Sequence, residues 1–449
     1  MNAVDALYAL SFVFLVVFLA YVTLIAVPFL RRRSAPEGSA EDFQWHVFIP
    51  CRDEDAVIGA TLAALRADFP GMHVWVVDDA SDDDTAQTVA QAAATDPCIH
   101  LVSRRLPSAR TGKGDALNAA YQALTRWLPP DADRASTIVV VIDADGRLAE
   151  NALRQVAGPT AFADPRTGAV QVAVRMSNRD QRRPVAGGRR VAQWWGRYLV
   201  RMQDIEFCTT IAAMQCLRLH TLSVGLGGNG QFTRLSALDA AAAAEGQPWG
   251  SALLEDYELG LRVILAGYLN VYAHDTHVDQ EALPSARRLL AQRTRWCQGG
   301  MQCARYLPKI YAAGTFTNAG AVEAAYFLMM PFLQLVGVVL WPSVFIAMLT
   351  QGAMSPGGLL VWAQQAAWIV PLCFLTGIFP FLMWPLVYCR RDERHSLARA
   401  VGWGFGYWLY MYQSYICVVR AFARLVTRRS GWVKTRRNAE RVLSPVAQT

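Results

Sequence analysis

Four acidic or mixed clusters stand where the surrounding pattern suits chemistry as well as solvation. Asp143 and Asp145 alternate at the end of the apolar run TIVVVID, just before Gly146 lets the chain turn. Two carboxylates so placed offer oxygen ligands to a hard divalent cation, and Mg²⁺ typically takes one or two from protein and others from phosphates. Read alone, the pair is also a polar strand-to-turn connection. Asp78 and Asp79 close a second β-rich run, and Asp82 to Asp84 behind them suit a helix start. Asp256 follows Glu255 in LLEDYEL, where the plain alternative is an acid stabilising a helix N-terminus. Thirty-five residues then separate Asp256 from Gln292, the first residue of Gln292-Arg293-Thr294-Arg295-Trp296. Trp296, four residues on, shares a helix face with Gln292. A membrane-interface anchor is its plain alternative.

Other polar clusters are narrower in meaning. Lys113 lies in Gly112-Lys113-Gly114, whose glycine spacing is wrong for a P-loop. Gly227-Gly228-Asn229-Gly230-Gln231-Phe232 lacks the first-strand context of a dinucleotide fingerprint, although its glycines would let backbone approach a ligand. His274 and His277 lack a third partner and read as structural. The nine cysteines show no C-x-x-C pair and no metal-ligand spacing, as expected of a reduced compartment.

The elements that must hold these residues follow from composition and period. Hydrophobic residues make up 53% of the 449 and charged ones 18%, against a typical charged share of about 25%. No charge occurs in residues 7–30, 324–389 or 401–419. A span needs about 20 apolar residues, so these regions predict spans at 7–30, 324–350 and 359–389, with 401–419 a further aromatic-rich candidate. The net charge of +7 comes from Lys and Arg beside these segments, at Arg31 to Arg33, Arg390-Arg391 and the C-terminal tail. That placement predicts a cytoplasmic side and anionic lipid rather than nucleic acid. Residues 34–42 read as a polar linker. WHVFIP (45–50), MHVWVVD (72–78) and TIVVVID (137–143), alternating with helical spacings, predict a largely parallel sheet with right-handed crossovers. Ligands bind beyond the carboxyl ends of such strands, where the aspartates stand. Residues 193–220 form a long helix candidate, either amphipathic at the membrane interface or packed in a core.

Together Asp78-Asp79, Asp143-x-Asp145, Asp256 and Gln292-x-x-Arg295-Trp296 resemble the membrane-embedded family 2 glycosyltransferases, the group of cellulose, chitin and hyaluronan synthases. The resemblance covers roughly residues 45–303. It implies an α/β, GT-A-like cytosolic domain with a mainly parallel Rossmann-like sheet and transmembrane helices at both ends. The corresponding division is an anchor at 1–33, the transferase domain at 34–304, interface and transmembrane helices at 305–427, and a basic tail at 428–449. It further implies a nucleotide-sugar donor, expected to be a UDP-sugar, held by Pro50, Arg52, Glu54, Asp78, Asp79, Lys113, Asp143, Gln292 and Arg295. Asp53 departs mildly, standing where the family commonly has Asn. Asp143 and Asp145 would bind Mg²⁺ or Mn²⁺. Asp256 would be the general base of an inverting transfer, and Gly228, Asn229, Gln231, Glu255 and Trp296 would face the acceptor. The expected activity is extension of a polysaccharide at the plasma membrane by a multi-pass protein, with export subunits as possible partners. Single addition to a membrane lipid is the alternative, and a non-catalytic transport or scaffold protein the second.

Overall fold

Strand propensity and apolar alternation place a sheet at the centre of the computed structural model, which describes residues 3–365, 367–391 and 396–429. Eight strands contribute: β1 Gln44–Cys51, β2 His73–Asp79, β3 Ile99–Arg104, β4 Thr137–Val141, β5 Arg147–Leu148, β6 Thr167–Met176, β7 Gln231–Arg234 and β8 Leu269–Gln280. Their order is β3-β2-β1-β4-β7-β6-β8-β5. β1 to β4 run parallel, β7 is antiparallel between β4 and β6, and β6 and β8 are again parallel. The fold is therefore the expected GT-A-like one, with a mixed sheet of mostly parallel strands.

Period-two alternation divides the core. Val47, Ile49, Val76, Val140 and Phe232 pack on one face. Phe48, Val77, Val139 and Val141 pack on the other, against the helices Lys113–Trp127, Leu235–Glu245 and Glu255–Leu265. Strand order reverses between β1 and β4, so their carboxyl ends diverge and open a crevice. Asp143 and Asp145 leave β4 into that crevice. Asp53, just after β1, has φ +53°, a left-handed conformation that Asp and Asn tolerate better than most residues. The departure from Asn thus keeps the backbone requirement.

Residues 34–42 are more than a linker. The Ala35 amide donates to Asp275 Oδ2 at 2.7 Å and the Gly38 amide to the Arg154 carbonyl at 2.9 Å, pinning the segment to the domain. The 193–220 candidate lies inside one longer helical stretch: Arg190–Ile205, a π-helical segment Glu206–Ile211, then Ala212–Thr221. Its first turns expose Val191, Trp194 and Trp195, while Leu199, Val200 and Met202 are buried, so the core-packed reading describes only the later turns.

Among the described residues three helices are long and apolar enough to cross a membrane: Ala3–Arg31, Asn318–Met354 and Pro371–Arg390. The first two contain the expected spans, and the second continues through Pro331 and Pro342. The third is shorter than 359–389, because a separate helix, Gly358–Gln365, takes the start of that segment. The 401–419 segment divides at Tyr412 into Leu397–Met411 and Gln413–Val426, of 15 and 14 residues, each short of a full crossing. The tail expected at 428–449 lies outside the described residues from 430 onward.

Two contacts set the Asp256 helix. Fully buried Glu258 accepts from the Ala252 amide at 2.9 Å, Tyr306 Oη at 2.8 Å and Arg262 Nη2 at 3.0 Å. The helix Ala286–Cys303 then approaches so closely that a Cβ on Gly299 would sit 2.4 Å from the Leu254 nitrogen. Gly299→Ala is expected to lower stability by ~1–3 kcal/mol, the usual cost of overpacking. A lowered melting midpoint of the detergent-solubilised protein would register it, and an unchanged midpoint would contradict the close approach.

Candidate active site

The crevice is a cavity of about 370 Å³. β1 supplies Pro50, with Arg52 and Glu54 behind it, and β2 supplies Asp79. Asp143 and Asp145 come from the turn after β4, and Gly228 and Asn229 from the turn before β7. Helix starts bring Lys113, Glu255 and Asp256, and one helix presents Gln292, Arg295 and Trp296. The residues singled out from sequence therefore converge, with two exceptions.

Asp78 does not line the cavity. Its Oδ1 accepts from the Ser81 amide at 3.2 Å, closing the turn after β2. Gln231 is fully buried within β7, a central strand whose pleat turns it away from the cavity. Asp79 does line it, while also accepting from the Arg104 guanidinium and, at 3.0 Å, the Arg110 amide.

The turn carrying Gly228 is held by residues that local motifs did not reveal. Gln171 on β6 accepts from the Gly227 amide at 2.7 Å and donates to the Asn229 carbonyl at 2.9 Å. Asn229 accepts from the Asp143 amide at 3.2 Å and donates to Gln280 Oε1 at 3.0 Å. Arg293, beside the predicted residues, donates to Glu206 Oε2 at 2.6 Å, and its guanidinium lies 4.5 Å from the Trp296 ring centroid. Phe207 meets the same ring edge-on at 6.3 Å. Glu206 and Phe207 lie far from the motif in sequence, so only the fold pairs them with it.

Charge is concentrated. Lys113 Nζ donates to Asp143 Oδ1 and to the Gly228 carbonyl, each at 2.7 Å. A Cβ on Gly228 would lie 3.0 Å from that Nζ and 3.1 Å from Asp256 Oδ2, so glycine lets the turn pass between lysine and carboxylate. Burial would lower the lysine's pKa, but Asp143, Glu255 and Asp256 outweigh it and raise it, keeping the ammonium charged. Burial also raises Asp256, with Lys113 opposing. Glu255 is pushed up to about 7 by burial and by the Asp256 charge, against Lys113 and Arg295. In this pair Asp256 carries the charge first and Glu255 keeps its proton into the neutral range.

Asp143 and Asp145 fit a divalent cation by the chemistry of their donors: hard oxygen ligands, two in number, in a cleft with space for phosphates. Among the described residues no group of three or more His, Cys, Asp or Glu could hold a metal ion.

Residues 44–299 match the protein family described as glycosyltransferase like family 2. The chain belongs to this family. A β-monoglucosyldiacylglycerol synthase of Synechocystis sp. is 28% identical over 409 residues, covering 87% of this chain and 74% of that protein. The synthase of the same name from Trichormus variabilis is 29% identical over 266 residues, and the match spans about half its length (49%). An undecaprenyl-phosphate mannosyltransferase of Micrococcus luteus is 39% identical over 98 residues, 22% of this chain and 36% of that protein. Among solved structures, a mannosyltransferase of Pyrobaculum calidifontis in complex with GDP-Man and Mn²⁺ superposes with a TM-score of 0.55 at 17% identity, covering 95% of this chain and 98% of that one. The family and the transferase activity agree with the resemblance. The finer placing among cellulose, chitin and hyaluronan synthases is not borne out, because the synthases and the undecaprenyl-phosphate mannosyltransferase are named for lipid acceptors.

Two predictions follow from the charges. In the free enzyme, reported by kcat/KM, the profile should carry an inflection near pH 7 from Glu255 losing its proton. Glu255→Gln should remove that inflection yet stay active, whereas Asp256→Asn should lose ~10²–10⁴-fold at every pH. An inflection that persists in the glutamine variant would contradict the assignment. Asp145→Ala should weaken nucleoside diphosphate binding in Mn²⁺ and leave metal-free binding unchanged. Calorimetry decides it, equal metal dependence in variant and parent being the contrary result.

Proposed function

We propose that this transferase adds a single sugar to a hydroxyl of a membrane lipid, with inversion at the anomeric carbon. One observation carries the lipid reading. The cavity holding Asp256 continues along an apolar wall of Phe207, Ile211, Met214, Leu254 and Phe327, and Phe327 belongs to the candidate span Asn318–Met354. A lipid could extend its hydroxyl from the bilayer to the carboxylate while its chains stay in apolar surroundings. The names of the relatives support the same acceptor class.

In this reading the donor is a nucleoside diphosphate sugar, with a UDP-sugar the first candidate. A divalent cation held by Asp143 and Asp145 would offset the charge of the diphosphate. Arg295 and Lys113 add positive charge on the same side. Asp256 takes the proton of the acceptor hydroxyl as that oxygen attacks the anomeric carbon, and the bond to the diphosphate oxygen breaks. A single in-line displacement converts an α-linked donor into a β-linked glycolipid. Trp296, held between Arg293 and Phe207, offers an aromatic face beside the acceptor.

We further propose three crossings. Ala3–Arg31 leads inward to Arg31–Arg33, Asn318–Met354 leads out, and Pro371–Arg390 returns. The helices from Leu397 to Val426 then lie in the interface, which leaves the basic tail on the cytoplasmic side in accord with the charge rule.

Incubation of the purified protein with UDP-glucose, Mg²⁺ or Mn²⁺ and diacylglycerol should give a lipid carrying one hexose. Phe327→Ala should raise KM for the lipid roughly 10-fold or more, given 2–5 kcal/mol-scale losses for large apolar truncations, while nucleotide binding stays unchanged. Polymer formed on soluble oligosaccharide, with none on lipid, would overturn the reading.

A further inference from the structure

Residues 181–203 contain six arginines and no acid. Five of them, Arg182, Arg183, Arg189, Arg190 and Arg197, are exposed. They surround the first turns of the helix Arg190–Ile205, where Val191, Trp194 and Trp195 are 79%, 58% and 44% exposed. These three, spaced i, i+3 and i+4, form one apolar face, continued by Tyr198, whose ring lies 5.1 Å from that of Trp195. Asp180, just before the segment, is already engaged by Arg201 at 2.8 Å. Among the described residues none of the five exposed arginines forms an ion pair, so they present positive charge beside two indoles. Isolated apolar residues on a surface need no explanation, but a cationic rim around paired tryptophans is the composition of a bilayer-interface element.

The rest of the helix fixes where that face points. Tyr198 Oη donates to the Gly406 carbonyl at 2.7 Å, Arg201 donates to Tyr388 Oη at 2.7 Å, and its guanidinium lies 4.9 Å from the Trp403 ring centroid. The helix is thereby clamped to Phe379–Arg391 and Leu397–Met411, which expose Phe379, Leu397, Phe405 and Leu409. The tryptophan face is thus joined to the apolar C-terminal helices. At its other end the helix runs straight into Glu206 and Phe207, which hold Arg293 and touch Trp296 in the active site.

We propose that this face docks on the anionic lipid head groups of the bilayer surface and that docking, transmitted along the helix to Glu206 and Phe207, raises the rate of sugar transfer. The occupant is an anionic bilayer, which satisfies both the arginines and the indoles. A soluble phosphate satisfies only the arginines. The inference rests on membrane association but not on the identity of the acceptor.

The full chain in phospholipid nanodiscs tests it, with phosphatidylcholine alone or mixed with phosphatidylglycerol. Trypsin cleavage after Arg182 and Arg189 should slow by about tenfold or more in the anionic discs, and raised salt should restore it. Turnover should rise in the same discs. The variant Arg182→Gln/Arg183→Gln/Arg189→Gln/Arg190→Gln should keep its turnover in phosphatidylcholine and lose the increase. Cleavage needs neither a variant nor turnover, so it reads out even if the quadruple variant misfolds or diacylglycerol is not the acceptor. Equal cleavage of the parent in both discs overturns the proposal, as does protection by soluble glycerol phosphate in phosphatidylcholine discs.

Discussion

Seven carboxylates line one cleft, and the repulsion among four of them, Asp143, Asp145, Glu255 and Asp256, is the constraint on which the site depends. Lys113 is the group that makes the arrangement tenable. Its ammonium bonds Asp143 and the Gly228 carbonyl and lies close to Asp256, so one positive charge serves both carboxylates. Glu255 supplies the remaining relief by keeping a proton into the neutral range. Coulomb energies grow as the effective dielectric falls, and closure of the cleft on a substrate would sharpen every one of these interactions. A divalent cation held by Asp143 and Asp145 would have to displace the Lys113 ammonium from Asp143, which would make the lysine a placeholder as well as a clamp.

Precision in this cleft is borrowed from packing at some distance. Glu258 ties the Asp256 helix to Arg262 and Tyr306, and Gly299 lets the Gln292–Trp296 helix rest against the residue preceding Glu255. Asp256 and Trp296 are therefore parts of one rigid contact rather than of two independent helices. Arg293 carries the same rigidity into the C-terminal helices through Glu206 and Tyr410, which donates to Glu206 at 2.8 Å. The Gln292–Trp296 helix and the C-terminal helices meet in that triad.

Much of this was legible in the residues themselves. Strand ends are marked by apolar runs that stop at aspartates, so the positions of Asp79, Asp143 and Asp145 could be read directly. Lys113, Asp256 and Trp296 were found by spacing. Gln171 and the Glu206–Arg293 pair were not, because each acts through a partner that only the tertiary fold brings near. Gln231 shows the opposite failure: its place in a glycine-rich motif suggested a ligand, but strand alternation turned it inward. The 66 uncharged residues from 324 to 389 could not be divided correctly by hydropathy alone, since a short separate helix is as apolar as the span beside it.

The first helix is not a tether. Ile25, Ala26 and Phe29 are buried in one cluster with Leu199, Met202, Tyr272 and Trp384, and Tyr21 reaches Glu323, which is bonded to Arg218 beside the cavity. The residues after it are pinned to the domain through Ala35 and Gly38. If the first helix crosses the bilayer as proposed, Asp256 stands at a set height over it, like a tool on a fixed stand. A lipid acceptor would then be chosen by the depth of its hydroxyl as much as by its shape.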